Sequence, residues 1–192
     1  MTTLGGPLLP ANTPAPLEGQ ALLDFFQGWF QGLTALPGSM IRPRWQPEPA
    51  NLPSVATDWM AFGIINRDSD TFAAELHFPS GSGYNELRRH EVLTISVSFY
   101  GPNADNYSHL LRDGMQVSQN RELLTLNSMG LVETGSVTPM PELIKDKWYY
   151  RLDMNIKVRR QIVRQYNVQS LLSASGVLDN EHYTTPISVQ GV

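Results

Sequence analysis

The sequence predicts an α+β fold: a mainly antiparallel or mixed sheet flanked by helices, with an extended arm at each end. Three observations predict it. The stretch "KWYYRLDMNIKVRR" (Lys147 to Arg160) alternates, with Trp148, Tyr150, Leu152, Met154, Ile156 and Val158 on one face. Lys147, Tyr149, Arg151, Asp153, Asn155, Lys157 and Arg159 stand on the other, the pattern of a strand half-covered by helices. Leu93, Ile95, Val97 and Phe99 alternate with Thr94, Ser96 and Ser98 in the same way. Apolar residues recur at helical spacing before Pro37 and again after Pro102.

The elements follow in order. Residues 1–16 are rich in glycine and proline and carry no charged side chain, which suits an extended arm. Leu22, Phe26, Trp29, Phe30 and Leu33 then define a helix that Pro37-Gly38 stops. Gly28 and Gly32 each weaken it by about 1 kcal/mol relative to alanine, so it must lie against a sheet. Prolines between Arg42 and Pro53 mark a connection. Asp58 to Asp68 is apolar on both faces and reads as a buried strand, with Thr71 to Phe78 as its hairpin partner across Asp68-Ser69-Asp70. Pro79 to Asn85 is a loop, and the strand of Leu93 to Phe99 ends at Gly101-Pro102-Asn103. Ala104, Tyr107, Leu111 and Met115 share one helical face, and a second short helix runs from a cap at Ser118 to Gly130. Leu131 to Pro139 is a short strand, and Tyr166 to Val192 forms a second arm or an edge strand. The organisation is thus an arm (1–16), one α+β domain (17–166) and an arm (167–192).

Composition narrows the function classes. A net charge of −4 argues against sequence-independent nucleic-acid binding. Zero cysteines exclude disulfides, thiolate nucleophiles and cysteine-ligated metals. No apolar run has the length of a membrane span, and the N-terminus lacks the pattern of a signal peptide, so a soluble protein made in a cytoplasm is expected. His77, His90, His109 and His182 fall in no metal-ligand spacing, and there is no nucleophile elbow or phosphate-binding glycine motif. In "RRHE" (Arg88 to Glu91) strand alternation sets Arg89 and Glu91 on one side, where they suit an ion pair, and His90 on the other. A metal-dependent hydrolase would need His90, Asp58 or Asp70 to converge. The expectation is a non-enzyme without cofactor.

The charged and aromatic residues left over suit contacts instead. "RPRW" (Arg42 to Trp45) combines charge and an aromatic as interface hot spots do, or is a rigid connection whose tryptophan packs on the core. Lys145 to Arg164 is basic, either a solvated strand face or the rim of an interface. Candidate contact residues are Arg42, Arg44, Trp45, Arg88, Arg89, Arg151, Lys157 and Arg159.

The segments "GSMIRPRWQPEP", "TDWMAFGI", "LRRHEVLTISVSFYGPNA", "LRDGMQVSQNREL" and "PELIKDKWYYRLDMNIKVRR" occur in this order. Over Leu17 to Tyr166 the chain resembles the neck terminator (tail terminator or tail-completion) proteins of contractile-tailed phages and prophages. The resemblance implies a structural virion protein with an α+β sheet flanked by helices. It also implies a hexameric ring that caps the tail tube, stops its polymerisation and offers a docking surface to the head–neck connector. The ring would touch the last layer of the tail sheath protein, and DNA would pass through without being read. A connector-side neck adaptor or a tail-tube protein of the same virion is the alternative within that setting.

Overall fold

The structure, a computed structural model, describes residues 6–11, 16–48, 51–81, 83–168, 173–179 and 184–190. The expected arms therefore fall in part outside the described residues, at 1–5, 12–15, 169–172, 180–183 and 191–192. The chain divides into a larger unit, 15–71 with 90–162, and a smaller one of 1–14, 72–89 and 163–192.

In the larger unit the helix α1 (Gly19–Thr34) buries Leu22, Phe26, Trp29 and Phe30 and ends at Ala35, whose left-handed backbone (φ 57°) lets its N–H bond the Gln31 carbonyl. A 3₁₀ turn leads into β1 (Ile41–Pro43), which pairs in parallel with β2 (Trp59–Ser69). Gln27 ties helix to strand, donating from Nε2 to the carbonyls of Gly38 and Ile41 at 2.8 Å each. β2 pairs antiparallel with β4 (Tyr84–Tyr100), with a bulge at Ile65. The helices α2 (Ala104–Gly114) and α3 (Ser118–Leu126) follow, then β5 (Met129–Thr134) and β6 (Thr138–Pro139), both antiparallel to β9 (Arg151–Tyr166). The sheet order is β1-β2-β4-β9-β5. The fold is α+β, as the alternation and the helical spacing predict.

One face of this sheet carries the core. Met60 and Phe62 of β2, Leu93, Ile95, Val97 and Phe99 of β4, and Leu152, Met154, Ile156 and Val158 of β9 are buried against α1, Leu111, Met115 and Leu124. Full burial of one such side chain contributes roughly 1.5–3 kcal/mol, so this layer supplies most of the stability. The buried phase of β9 runs on past Val158 through a charged residue: Arg160 is buried, and so is Ile162 beyond it. Arg160 donates from Nε to Glu91 at 2.6 Å and from Nη1 to the Leu17 carbonyl at 2.6 Å. Glu91 is thus taken by Arg160, and the Arg89–Glu91 pair expected from alternation does not form.

Three other expectations are corrected. Asp68 and Ser69 are not a turn; they continue the ladder opposite Val92 and Glu91, and the Asp70 carboxylate accepts the His90 N–H at 2.9 Å. Ser118 is the first residue within α3, preceded by Val117, and its side chain caps nothing. Trp148 and Tyr150 do not share the core face of Leu152. A tight hairpin of β7 (Glu142–Ile144) and β8 (Lys147–Tyr149), closed by Lys145 and Asp146 with φ of 47° and 60°, interrupts the strand before Arg151. Two positive φ angles are the mark of a type I′ turn. The hairpin sets its own faces, so Tyr149 is buried while Trp148 and Tyr150 are exposed.

In the smaller unit β3 (Ala74–Phe78) pairs with Tyr84 to Arg88 at the start of β4, not with β2. Gly81 and Gly83, both at positive φ, close this hairpin, and Phe78 stacks on Tyr84 at 4.8 Å. A second hairpin joins β10 (Ser173–Asp179) to β11 (Thr184–Gln190).

Candidate protein-binding face

Alternate residues of the core strands make the sheet's other face, where Trp59, Ala61 and Tyr100 form a cluster separate from the main core. Trp59 and Ala61 alternate with Met60 and Phe62, and Trp59 lies directly across the ladder from Tyr100. Their rings stack at 4.1 Å with an interplanar angle of 5°. Arg42 lies over Trp59 at 5.6 Å and Arg151 over Tyr100 at 5.8 Å, so two guanidiniums bracket two aromatic rings. Cation–π attraction and stacking each contribute about 0.5–1.5 kcal/mol and fix the plane of each group. Tyr149, Met40 and Ile144 pack around this second, smaller cluster.

A polar chain runs beside it. Arg44 donates from Nη2 to the Ser98 hydroxyl, and Ser98 donates to Asp153. Arg151 donates to both Asp153 oxygens at 2.7 Å and to Glu142 at 3.1 Å. These bonds, above all those to Asp153, hold the Arg151 guanidinium charged well above its ordinary range. Burial pushes the Tyr100 hydroxyl above its ordinary value of 10.0, against the lowering influence of Arg151.

Gly63 makes room for the rest. A Cβ there would meet the Trp45 ring at 2.6 Å and the Arg44 Cβ at 3.2 Å, so only glycine lets both side chains lie on the sheet. Trp45 adopts φ 58° to do so and is 71 % exposed. Its ring packs on backbone and presents its outer face to solvent, which resolves the open choice between core packing and contact in favour of an exposed aromatic.

The structure gathers Arg42, Arg44, Trp45 and Arg151 at one end of this face. Lys157 stands further along β9, ion-paired with Glu133 at 2.7 Å beside a shallow cavity of about 330 Å³ that Thr94, Asp153 and Asn155 also line. Arg159 is exposed on the same phase of β9. Arg88 and Arg89 belong to the smaller unit. Arg88 is ion-paired with Glu86, and Arg89 has a buried Nε without a hydrogen-bond partner among the described residues. Sequence reading missed Trp59, Tyr100, Asp153 and Gly63. Their signal is a place on the sheet face away from the main core, beside one another across neighbouring strands, as Trp59 is to Tyr100 and Gly63 to Ser96, and it is legible only once the register is known.

Asp58 and Asp70, the carboxylates a cation site would need, are engaged separately. Asp58 accepts from the Asn103 backbone and side-chain amides at 2.8 Å, and Asp70 holds His90. That backbone bond, the largest influence, lowers the Asp70 carboxyl below its ordinary value. Among the described residues no three His, Cys, Asp or Glu side chains stand together, and no helix is long and apolar enough to cross a membrane.

No curated protein matches the sequence. The sequence pattern that defines the phage neck terminator proteins matches residues 20–181, a span that includes the whole core sheet, the open face and β10. With most of the chain inside that match, the protein belongs to the phage neck terminator family and is a structural component of the virion's tail and neck.

Proposed function

We propose that the protein acts as the terminator itself: copies assemble into a hexameric ring on the end of the tail tube, stop tube polymerisation and present a docking surface to the head–neck connector. DNA passes through the lumen without specific contact, and the rim meets the last layer of the tail sheath. Synthesis takes place in the host cytoplasm. The observation that carries this reading is the cluster on the sheet's second face, where Arg42 lies over Trp59, Trp45 seats on Gly63 and Arg44 bonds Ser98, so that none of the three is left as a loose surface residue. Pre-fixed aromatic and arginine side chains are the groups that dominate protein interfaces.

Arg151, Lys157 and Arg159 on β9 and Arg88 and Arg89 on the smaller unit complete the proposed set of inter-subunit, tube or connector contacts. The segments 1–16 and 167–192 are proposed to add strands to, or wrap, neighbouring copies, since a closed ring is built from interfaces that join unlike faces. A net negative charge suits a passage that must not hold DNA.

The test uses purified tail tubes in negative stain. Wild-type protein is expected to form one ring at a tube end, and Arg88→Glu with Arg89→Glu is expected to abolish it. Normal rings from that double variant remove these two residues from the interface, and absence of rings with wild-type protein overturns the terminator reading.

A further inference from the structure

One groove on the open face differs from its surroundings. Arg42, Arg44, Trp45, Leu52, Trp59 and Ala61 enclose about 320 Å³ beside β1. Both guanidiniums lack a carboxylate: among the described residues neither forms an ion pair. Arg42 is bonded to the carbonyls of Ser39 and Asn51, and Arg44 to the hydroxyls of Ser96 and Ser98. Carboxylates are not scarce in a chain with 18 acidic residues to 14 basic ones, and Arg151, Lys157, Arg160 and Arg88 each have one. Trp59 adds an independent sign. It is 6 % exposed, and its Nε1 is buried with no hydrogen-bond partner among the described residues, although buried donors are normally paired. The rim is apolar and open: Trp45 is 71 % exposed and Leu52 44 %.

We propose that this groove binds an extended segment of a partner protein in which an aspartate or glutamate stands next to an aliphatic or aromatic residue. The carboxylate supplies the counter-charge that the two guanidiniums lack and an acceptor for the indole N–H, and a charge-assisted bond makes the pairing directional. The neighbouring apolar side chain packs on Trp45 and Leu52. Recognition rests on side chains and not on strand addition at β1, because Gln27 already occupies the Ile41 carbonyl and Pro43 has no N–H to offer. A phosphate would satisfy the cations but leave the apolar rim wet, so an acidic peptide fits better than a nucleic acid. The inference gives a partner chemistry to the face assigned above to assembly and rests on that assignment for its setting. It is read on the isolated chain, so its failure and that of the terminator reading are separate results.

The full chain, labelled with ¹⁵N, carries four indole N–H reporters at Trp29, Trp45, Trp59 and Trp148. Titration with the blocked pentapeptide Ala-Leu-Asp-Leu-Ala is expected to shift Trp45 and Trp59 saturably and to leave Trp29 and Trp148 in place. The Asn counterpart is expected to bind about tenfold more weakly or worse, as is the peptide with Arg44→Gln protein; Arg44→Lys recovers part of the loss. Trp45→Ala, at an exposed position, separates loss of binding from loss of folding. The proposal is overturned by an unmoved Trp59 at about 1 mM peptide. Equal binding of the Asn peptide overturns it too, as does a larger response to oligo-dT. So does a shift of Trp45 and Trp59 with protein concentration alone, which would make a second copy the occupant. Arg42→Gln with Arg44→Gln protein that caps tubes normally while losing the peptide overturns the groove's part in assembly and leaves the terminator reading intact.

Discussion

The two faces of the central sheet are made by alternate residues of the same strands, yet they are built from different chemistry. On the helix-covered side, Met60, Phe62, Ile95, Val97 and Ile156 fill space without a polar atom. On the open side, Trp59, Ser96, Ser98, Tyr100, Arg151 and Asp153 fix one another through stacking and hydrogen bonds. Side chains on the first face are held by exclusion from water and contribute stability. On the second, buried Trp59, Ser98 and Tyr100 hold half-buried Arg151 and Asp153 in defined orientations at the solvent boundary, the condition for recognising a partner with little loss of side-chain entropy. A change on the first face should therefore act mainly on folding, and a change on the second mainly on assembly chemistry, with a smaller cost in stability.

The largest expected effect breaks the covered face. Phe30→Ala empties a fully buried position against Phe62 and should lower stability by about 3–5 kcal/mol in urea unfolding. Close behind is Arg160→Met, which leaves Glu91 as an uncompensated buried charge at a cost of about 3–5 kcal/mol. Adding Glu91→Leu should recover most of that loss, and failure to recover it would show that the Leu17 contact of Arg160 matters more than the ion pair.

On the open face, Gly63→Ala should cost only about 1 kcal/mol, since the clash is with the far end of the Trp45 side chain, which can swing out. Trp45 should then become more accessible to a fluorescence quencher; an unchanged quenching constant would contradict its seat on Gly63. Gly32→Ala lies on the exposed side of α1 with nothing within 4 Å of the new methyl, and should stabilise by up to about 1 kcal/mol. A loss instead would mean that this side of the helix tolerates no added bulk. The smallest effect is alkaline. Burial raises the Tyr100 pKa in the folded state, so its contribution is fully present below pH 10 and fades as pH rises beyond it. Tyr100→Phe should flatten that fall in unfolding experiments run above pH 10.

Much of the covered face was legible in the sequence, because a buried face needs only apolar type and period. Leu93 to Phe99 and Leu152 to Val158 state their phase plainly, and α1 announces itself through Leu22, Phe26 and Phe30. What was not legible depends on which strand lies beside which. Thr71 to Phe78 reads as a partner of the preceding strand, but the positive-φ glycines at 81 and 83 turn it onto the following one. Trp148 and Tyr150 fit the alternation of β9 until the Lys145-Asp146 turn gives them to a separate hairpin. Arg160 hides in a basic run, and nothing local says that its phase is the buried one. The open face follows the same rule. Arg42, Arg44 and Trp45 stand out by type, whereas Gly63 matters only because Trp45 crosses it, and Asp153 only because β4 and β9 are neighbours.

The most direct measurement compares how wild-type and Trp45→Ala proteins limit the growth of tail tubes from purified tube subunits, with thermal unfolding recorded alongside. Wild-type protein is expected to fix tube length and form end rings, and Trp45→Ala to unfold at the same temperature but leave tubes growing. Tubes capped equally well by Trp45→Ala would contradict a recognition role for the open face, and tubes that outgrow the wild-type protein would contradict termination itself.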